Sequence, residues 1–190
     1  MNSLKSLTDE ELVAVVVDED QSAYAILVHR YEKALTRYVC SMLGDPADAA
    51  DAVQETFIKA FINLRGFDQK KKLSSWLYRI AHNEAIDHIR KNKKTTNMDE
   101  DVLALVADES ESNLSILERK ELAGKVREHI SELPLKFRGV IALYFLEEKS
   151  YEEISYVLQM PMGTVATQLN RGKKLLAATL RREGEIINAK

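Results

Sequence analysis

The residues predict an all-α chain: two small helical domains, over 8–94 and 115–182, joined by a flexible acidic linker over 95–114. Three observations carry this. Hydrophobic spacing is helical nearly throughout, with no sustained period-two run. Only 7 Gly and 3 Pro among 190 residues argue against a turn-rich β protein or a Gly-cradled nucleotide site. Between the two periodic blocks, Thr95 to Asn113 is acidic, lacks aromatic residues and is weakly periodic, the composition of a linker.

Each element has its own signal. The first helix begins at Thr8, with Glu11 three residues on completing a capping box. A second covers about Ser22 to Leu43 and stops near Gly44-Asp45-Pro46, and a third covers Ala47 to Leu64. A polar loop, Phe67 to Ser75, leads into a fourth from about Trp76 to Lys91. Helical patterning resumes over Ser115 to Glu132, breaks at Pro134 and continues from Phe137 to Leu146. Two more helices follow, Ser150 to Leu158 and about Met162 to Arg182.

Composition excludes several classes. A single cysteine, Cys40, leaves no internal disulfide framework and no Cys-based zinc cage. The start, MNSLKSLTDEEL, carries no basic run followed by an apolar stretch, so no signal peptide is expected. No apolar window is long enough to span a bilayer, and a cytoplasmic protein is expected. The net charge of −3 looks wrong for a nucleic-acid binder, but the charges are sorted along the chain. Thr8 to Glu55 holds 11 acidic and 3 basic residues, and Lys70 to Lys94 holds 8 basic and 2 acidic. Thr95 to Asn113 holds 6 acidic and no basic residues, and Gly163 to Arg182 holds 5 basic and no acidic. Two separated positive segments fit two contacts with a polyanion.

The last two helices look like a helix-turn-helix. Ser150 and Glu153 form a capping box, and Pro161 suits a first helical turn because it lacks an amide hydrogen. Val165, Leu169, Gly172 and Leu176 then recur on one face. Advancing about 100° per residue puts Gly163, Thr167, Asn170, Arg171 and Lys174 on the opposite face, polar and without a carboxylate. Such a helix suits a major groove, although an ordinary helical hairpin has the same geometry.

In the N-terminal block, Trp76, Arg79, Asn83, Arg90 and Lys94 fall within one arc of about 60°. Cations track phosphates, an aromatic ring stacks on a base and an amide reads a base edge, so this face fits a single strand. Phe67 and the run Lys70-Lys71-Lys72 stand directly before it. On the third helix Val53, Phe57, Ala60, Phe61 and Leu64 make the core face. Asp51, Gln54, Glu55, Ile58 and Ile62 cluster about 160° away. Isoleucines among acids on the far side favour a docking surface for another protein.

Four stretches carry a family resemblance: DAADAVQETFIKAF (48–61), GFDQKKKLSSWLYRIAHNEAIDHIRK (66–91), LPLKFRGVIALYFLEEKSYEEIS (133–155) and MPMGTVATQLNRGKKLL (160–176). Together they resemble the group IV, extracytoplasmic-function (ECF) sigma factors, specificity subunits of bacterial RNA polymerase. The resemblance implies a region 2 bundle over 8–94 and a region 4 helix-turn-helix over 115–182. It implies that Asp51, Gln54, Glu55 and Ile58, with Ile62 on the same stripe, meet the clamp coiled coil of core polymerase. It implies that Phe67 and Asn83 hold a base flipped from the −10 element, with Trp76 shaping the pocket. Lys70, Lys71, Lys72, Arg79 and Arg90 are expected along that strand. Thr167 and Arg171 are expected at the −35 element, with Gly163, Thr164, Gln168 and Lys174 beside them. The polymerase flap and an anti-sigma factor are further expected partners. No catalytic residue, metal or cofactor is expected.

The chain also departs from the family pattern. After Gly163-Thr164-Val165 the family usually has a basic residue, a small hydroxyl residue and another basic residue; here the run is Ala166-Thr167-Gln168. Losing two phosphate contacts would flatten the salt dependence of upstream binding by about 1.8 in slope. Two other readings compete. A helix-turn-helix regulator without a polymerase role would need neither the off-core stripe nor the 67–83 block. An enzyme using His82, Asp87 and His88 is disfavoured, because those side chains diverge on one helix.

Overall fold

The computed structural model describes residues 4–93 and 129–188. The expected linker, most of the expected 115–132 helix, and Lys94 lie outside the described residues. Among the described residues there are seven α-helices and no strand. These are α1 (Asp9–Asp18), α2 (Tyr24–Leu43), α3 (Pro46–Asn63) and α4 (Leu73–Lys93), then α5 (Leu135–Phe145), α6 (Tyr151–Leu158) and α7 (Met162–Asn188).

Local chemistry sets most boundaries. In the α1 capping box, Glu11 N–H donates to Thr8 Oγ1 at 3.2 Å and Thr8 N–H donates to Glu11 Oε2 at 2.7 Å. Helix α2 ends at Gly44, whose φ of 82° is a left-handed cap that glycine adopts without a Cβ clash. Asp45 then caps α3, accepting from the Ala47 and Asp48 amides at 2.8 and 3.0 Å, with Pro46 in the first turn. The α6 box closes as expected, Glu153 N–H reaching Ser150 Oγ at 3.2 Å and Ser150 N–H reaching Glu153 Oε2 at 2.9 Å.

Three expectations are corrected. Helix α4 begins at Leu73, not at Trp76, because Leu73 and Leu77 are both core residues one turn apart. The preceding loop is correspondingly short, with Asp68 accepting from the Lys70 and Lys71 amides through its carboxylate and carbonyl. Phe61 is not in the core: it is 40% exposed, because Tyr24, bonded to the Phe57 carbonyl at 2.8 Å, closes the core edge inside it. Helix α7 runs to Asn188, beyond the expected end near Arg182.

The two helical sets pack on each other, and their buried side chains form one continuous cluster. Two glycines permit close approach. A Cβ on Gly139 of α5 would stand 3.3 Å from the His82 ring of α4 and 3.5 Å from Tyr38 Oη of α2. A Cβ on Gly172 of α7 would stand 2.8 Å from Ile141 of α5, so only glycine fits without a shift. Arg138 of α5 donates to the Met42 carbonyl at 3.0 Å, satisfying the C-terminal end of α2.

Candidate nucleic-acid interface

Helix α3 has two faces. Ala49, Ala52, Val53, Thr56, Phe57 and Ala60 are buried, and the Thr56 hydroxyl donates to the Ala52 carbonyl at 2.7 Å. The opposite stripe is open: Asp51, Gln54 and Glu55 are exposed, with Ile58 at 45% and Ile62 at 71% exposure. Gln54, Ile58 and Ile62 join Tyr24, Val28 and His29 of α2 along a groove of about 870 Å³. Large apolar side chains held in solvent beside carboxylates form a surface for a protein partner.

The loop and α4 build the second site. Phe67 is 8% exposed and lies under Trp76, with ring centroids 5.1 Å apart at 45°. Trp76 and Asn83 line a cavity of about 430 Å³ with Gly66, Asn63 and Ile80, and the Lys59–Glu84 ion pair (2.6 Å) stands beside it. The cavity has an aromatic wall and an amide, the two groups a splayed base needs. The structure thus brings Trp76 and Asn83 together at this cavity, whereas Phe67, expected to hold the base with Asn83, is buried against Trp76 and does not line it. Lys70, Lys71, Lys72 and Arg90 are exposed but none of them lines this cavity; Arg90 lines the cleft beside α5, and Lys71 and Lys72 lie toward α6.

The third site is α7. Gly163, Thr164, Thr167 and Arg171 are exposed on one face, with Lys174 half-buried beside them. Val165, Leu169, Gly172 and Leu176 are buried on the other. Gln168 sits apart: it faces a cleft of about 720 Å³ that also touches His82 and Ile86 of α4, and its Oε1 is buried and accepts no hydrogen bond.

A fourth feature, which no sequence motif marked, is the set of acidic and aromatic groups that α6 and its preceding turn place against α2 and α4. Glu147, whose side chain is 3% exposed, accepts from Arg37 Nε and Nη2 at 2.7 and 2.8 Å and from the Tyr78 hydroxyl. The bonded carboxylate holds the Arg37 guanidinium above its ordinary pKa. Burial first, then the Glu147 charge, pushes the Tyr78 phenol up. Lys149 stands 4.9 Å over the Tyr78 ring, its pKa lowered by burial. Further along, Glu153 pairs with Lys72 at 3.1 Å, and the Tyr156 ring lies 5.9 Å from Lys71 Nζ and 5.3 Å from Arg79 Cζ. Gln159, with its carbonyl turned to α4, accepts from Arg79 Nε and Nη2 at 2.8 and 3.1 Å. Gln159 ends α6 in the left-handed region, at φ 54°.

The histidines do not converge. His82 is bonded to Tyr38 Oη through Nδ1 at 2.9 Å, and burial lowers its pKa to about 4. His88 lies beside Asp48 on another side. Among the described residues no three His, Cys, Asp or Glu side chains are grouped to hold a metal, and no helix is long and apolar enough to cross a membrane.

Comparison with known proteins agrees with this layout. The family model described as Sigma-70 region 2 matches residues 27–95, and Sigma-70, region 4 matches residues 123–176. The chain is similar to the ECF RNA polymerase sigma factor SigW of Bacillus subtilis (strain 168), at 37% identity over 171 residues, covering 85% of this chain and 91% of that protein. It is 34% identical over 186 residues to the ECF RNA polymerase sigma-E factor of Escherichia coli (strain K12), covering 90% and 94%. Among solved structures, CnrH in complex with the cytosolic domain of CnrY matches with a TM-score of 0.67 at 26% identity, over 92% of this chain and 97% of that one. The sigma factor RpoE bound to the anti-sigma factor NepR from Bartonella quintana shares the fold, with a TM-score of 0.62 at 21% identity over 81% and 94%.

Proposed function

This chain belongs to the ECF sigma factors of the sigma-70 family, and from that premise we propose which of its surfaces carry each step of initiation. As a sigma factor it binds core RNA polymerase and directs it to −35 and −10 promoter elements. The α3 stripe, Asp51, Gln54, Glu55, Ile58 and Ile62, is the core-polymerase surface. The α7 face, led by Thr167 and Arg171, reads the −35 duplex in the major groove, where bidentate arginine contacts discriminate bases. The cavity lined by Trp76 and Asn83 receives a base from the opened −10 strand, and the Lys70–Lys72 run holds its phosphates. Stacking contributes about 1–3 kcal/mol per base, comparable with the cost of one extrusion, so one cavity can offset one flipped base.

The chain supplies binding energy and position and no catalytic group, and it works in the cytoplasm. A protein inhibitor is a natural partner, since the similar sigma factor RpoE is complexed with the anti-sigma factor NepR and the similar CnrH with the cytosolic domain of CnrY. The single observation that carries the assignment is the solvent-exposed Ile58/Ile62 pair among carboxylates, which a free-standing regulator has no use for. Run-off transcription with purified core enzyme and a genomic fragment library tests it. Start sites should appear only when this subunit is added. Ile62→Asp should weaken core binding about tenfold or more, the range of an apolar hot spot, without changing helix content. DNA binding with no effect on core enzyme would instead favour the free-standing regulator.

A further inference from the structure

The open face of α7 carries few groups able to tell one base pair from another. From Gly163 to Arg182 there is no Asp or Glu, so no carboxylate can accept from a cytosine amine. Thr167 donates its hydroxyl proton to the Gly163 carbonyl at 2.8 Å, which leaves it a methyl group and an acceptor. Position 166 is alanine, and Gln168 turns its amide away into the cleft beside α4. Two side chains with forked polar ends remain side by side, Arg171, exposed, and Asn170, half-buried. Asparagine is a poor helix former, yet Asn170 stands well inside α7. Among the described residues no hydrogen bond engages its amide. Its place in the helix is therefore explained neither by helix propensity nor by a contact within the chain.

We propose that Asn170 is a specificity-determining residue that reads an adenine of the upstream duplex, one base step from a guanine taken by Arg171. The inference rests on the assignment of α7 to the −35 major groove. The chemistry of the groove edges selects the base. Adenine presents an acceptor, N7, beside a donor, the N6 amine, and a carboxamide matches both: Nδ2 donates to N7 and Oδ1 accepts from N6. Guanine presents two acceptors there, which suits the donor-only guanidinium of Arg171. Cytosine and thymine each offer a single polar group, so neither satisfies both ends of the amide. Spacing agrees. Consecutive Cα atoms lie about 3.8 Å apart, close to the step of about 3.4 Å between base pairs, so neighbouring residues address neighbouring pairs. Asn170 is uncharged, so it adds selectivity without adding to the salt dependence that cations create.

The test uses the full chain reconstituted with core enzyme. Promoters randomised through the −35 element are selected by binding, then promoters changed at single positions are compared in competition. The wild type should prefer adenine at one position by about tenfold over the other bases. In Asn170→Ala that preference should fall to within about twofold, with the other positions and the salt slope unchanged. Arg171→Ala should instead lose a guanine preference at the neighbouring pair. Alanine is the better helix former, so Asn170→Ala does not act by unfolding α7. A second probe replaces the preferred adenine with 7-deazaadenine, which pairs normally but lacks the N7 acceptor. It should weaken wild-type binding about fivefold and leave Asn170→Ala unaffected, a coupling that a merely structural role would not produce. Base preferences unchanged in Asn170→Ala would overturn the proposal while leaving the sigma assignment intact. So would an equal loss on every sequence, or 7-deazaadenine weakening wild type and variant alike. A wild-type complex with no base preference anywhere in the −35 element would overturn it together with the assignment of α7.

Discussion

The two positively charged helices, α4 and α7, are arranged in opposite ways. Helix α7 presents Thr164, Thr167 and Arg171 to solvent, ready for a groove. Helix α4 keeps Trp76 and Asn83 at an open cavity but has Arg79 bonded to Gln159 and set against the Tyr156 ring. A duplex is present before polymerase acts and a single strand only afterwards. On the proposed assignment, the surface for the later ligand is the one already engaged by the chain itself.

The contrast can be sharpened first on the strand side. Trp76→Ala should cost the polymerase complex about 2 kcal/mol of single-strand affinity, one stacked base, and leave upstream duplex binding unchanged. Anisotropy with the two DNA forms measures both. A loss shared equally by strand and duplex would break the distinction between the helices.

The next effect comes from pH, at the seam between the two helical sets. His82 packs against Tyr38 and beside Gly139, and burial lowers its pKa to about 4. The unfolded chain takes up its proton near the ordinary value of about 6.5, so between the two values it binds more protons than the folded chain. Stability from the neutral ring is fully present above about 6.5 and is lost as pH falls toward 4. Urea unfolding should show a loss of about 2 kcal/mol between pH 7 and pH 5 that His82→Gln largely removes. An identical pH dependence in the variant would show that His82 is not the group responsible.

On the α7 side the effects are smaller. Gly172→Ala should destabilise the chain by about 1 kcal/mol, because overpacking against Ile141 exceeds the gain in helix propensity. Thermal unfolding measures it, and a stabilised variant would show that Ile141 gives way freely. Ala166→Lys should steepen the salt dependence of upstream duplex binding by about 0.9 in slope, and Arg171→Ala should flatten it by about 1. Neither should alter strand binding.

How much was legible in the sequence follows the same division. The Thr8/Glu11 and Ser150/Glu153 boxes, the break at Pro161 and the open faces of α3 and α7 depend on neighbours within a turn or two, so spacing reveals them. Phe61 defeated the spacing because Tyr24, 37 positions earlier, closes the core edge inside it. The start of α4 was read late because Leu73 follows three lysines and looks like loop until its burial beneath the helix is seen. Glu147 meets Arg37 across 110 positions, and a Glu-Glu-Lys stretch after an apolar helix reads as a solvated end. Contacts between two helical sets are set by how their surfaces fit, which periodicity within either set does not encode.

The central claim is that α4 takes a base from the opened strand while the subunit sits on polymerase. Permanganate reactivity of a promoter bound by the reconstituted holoenzyme tests it most directly. Unpaired thymines should appear at the −10 element with the wild-type subunit and fade with Asn83→Ala and Trp76→Ala, while binding to core enzyme is retained. Reactive thymines undiminished in both variants, or none with the wild type on a promoter it transcribes, would contradict it.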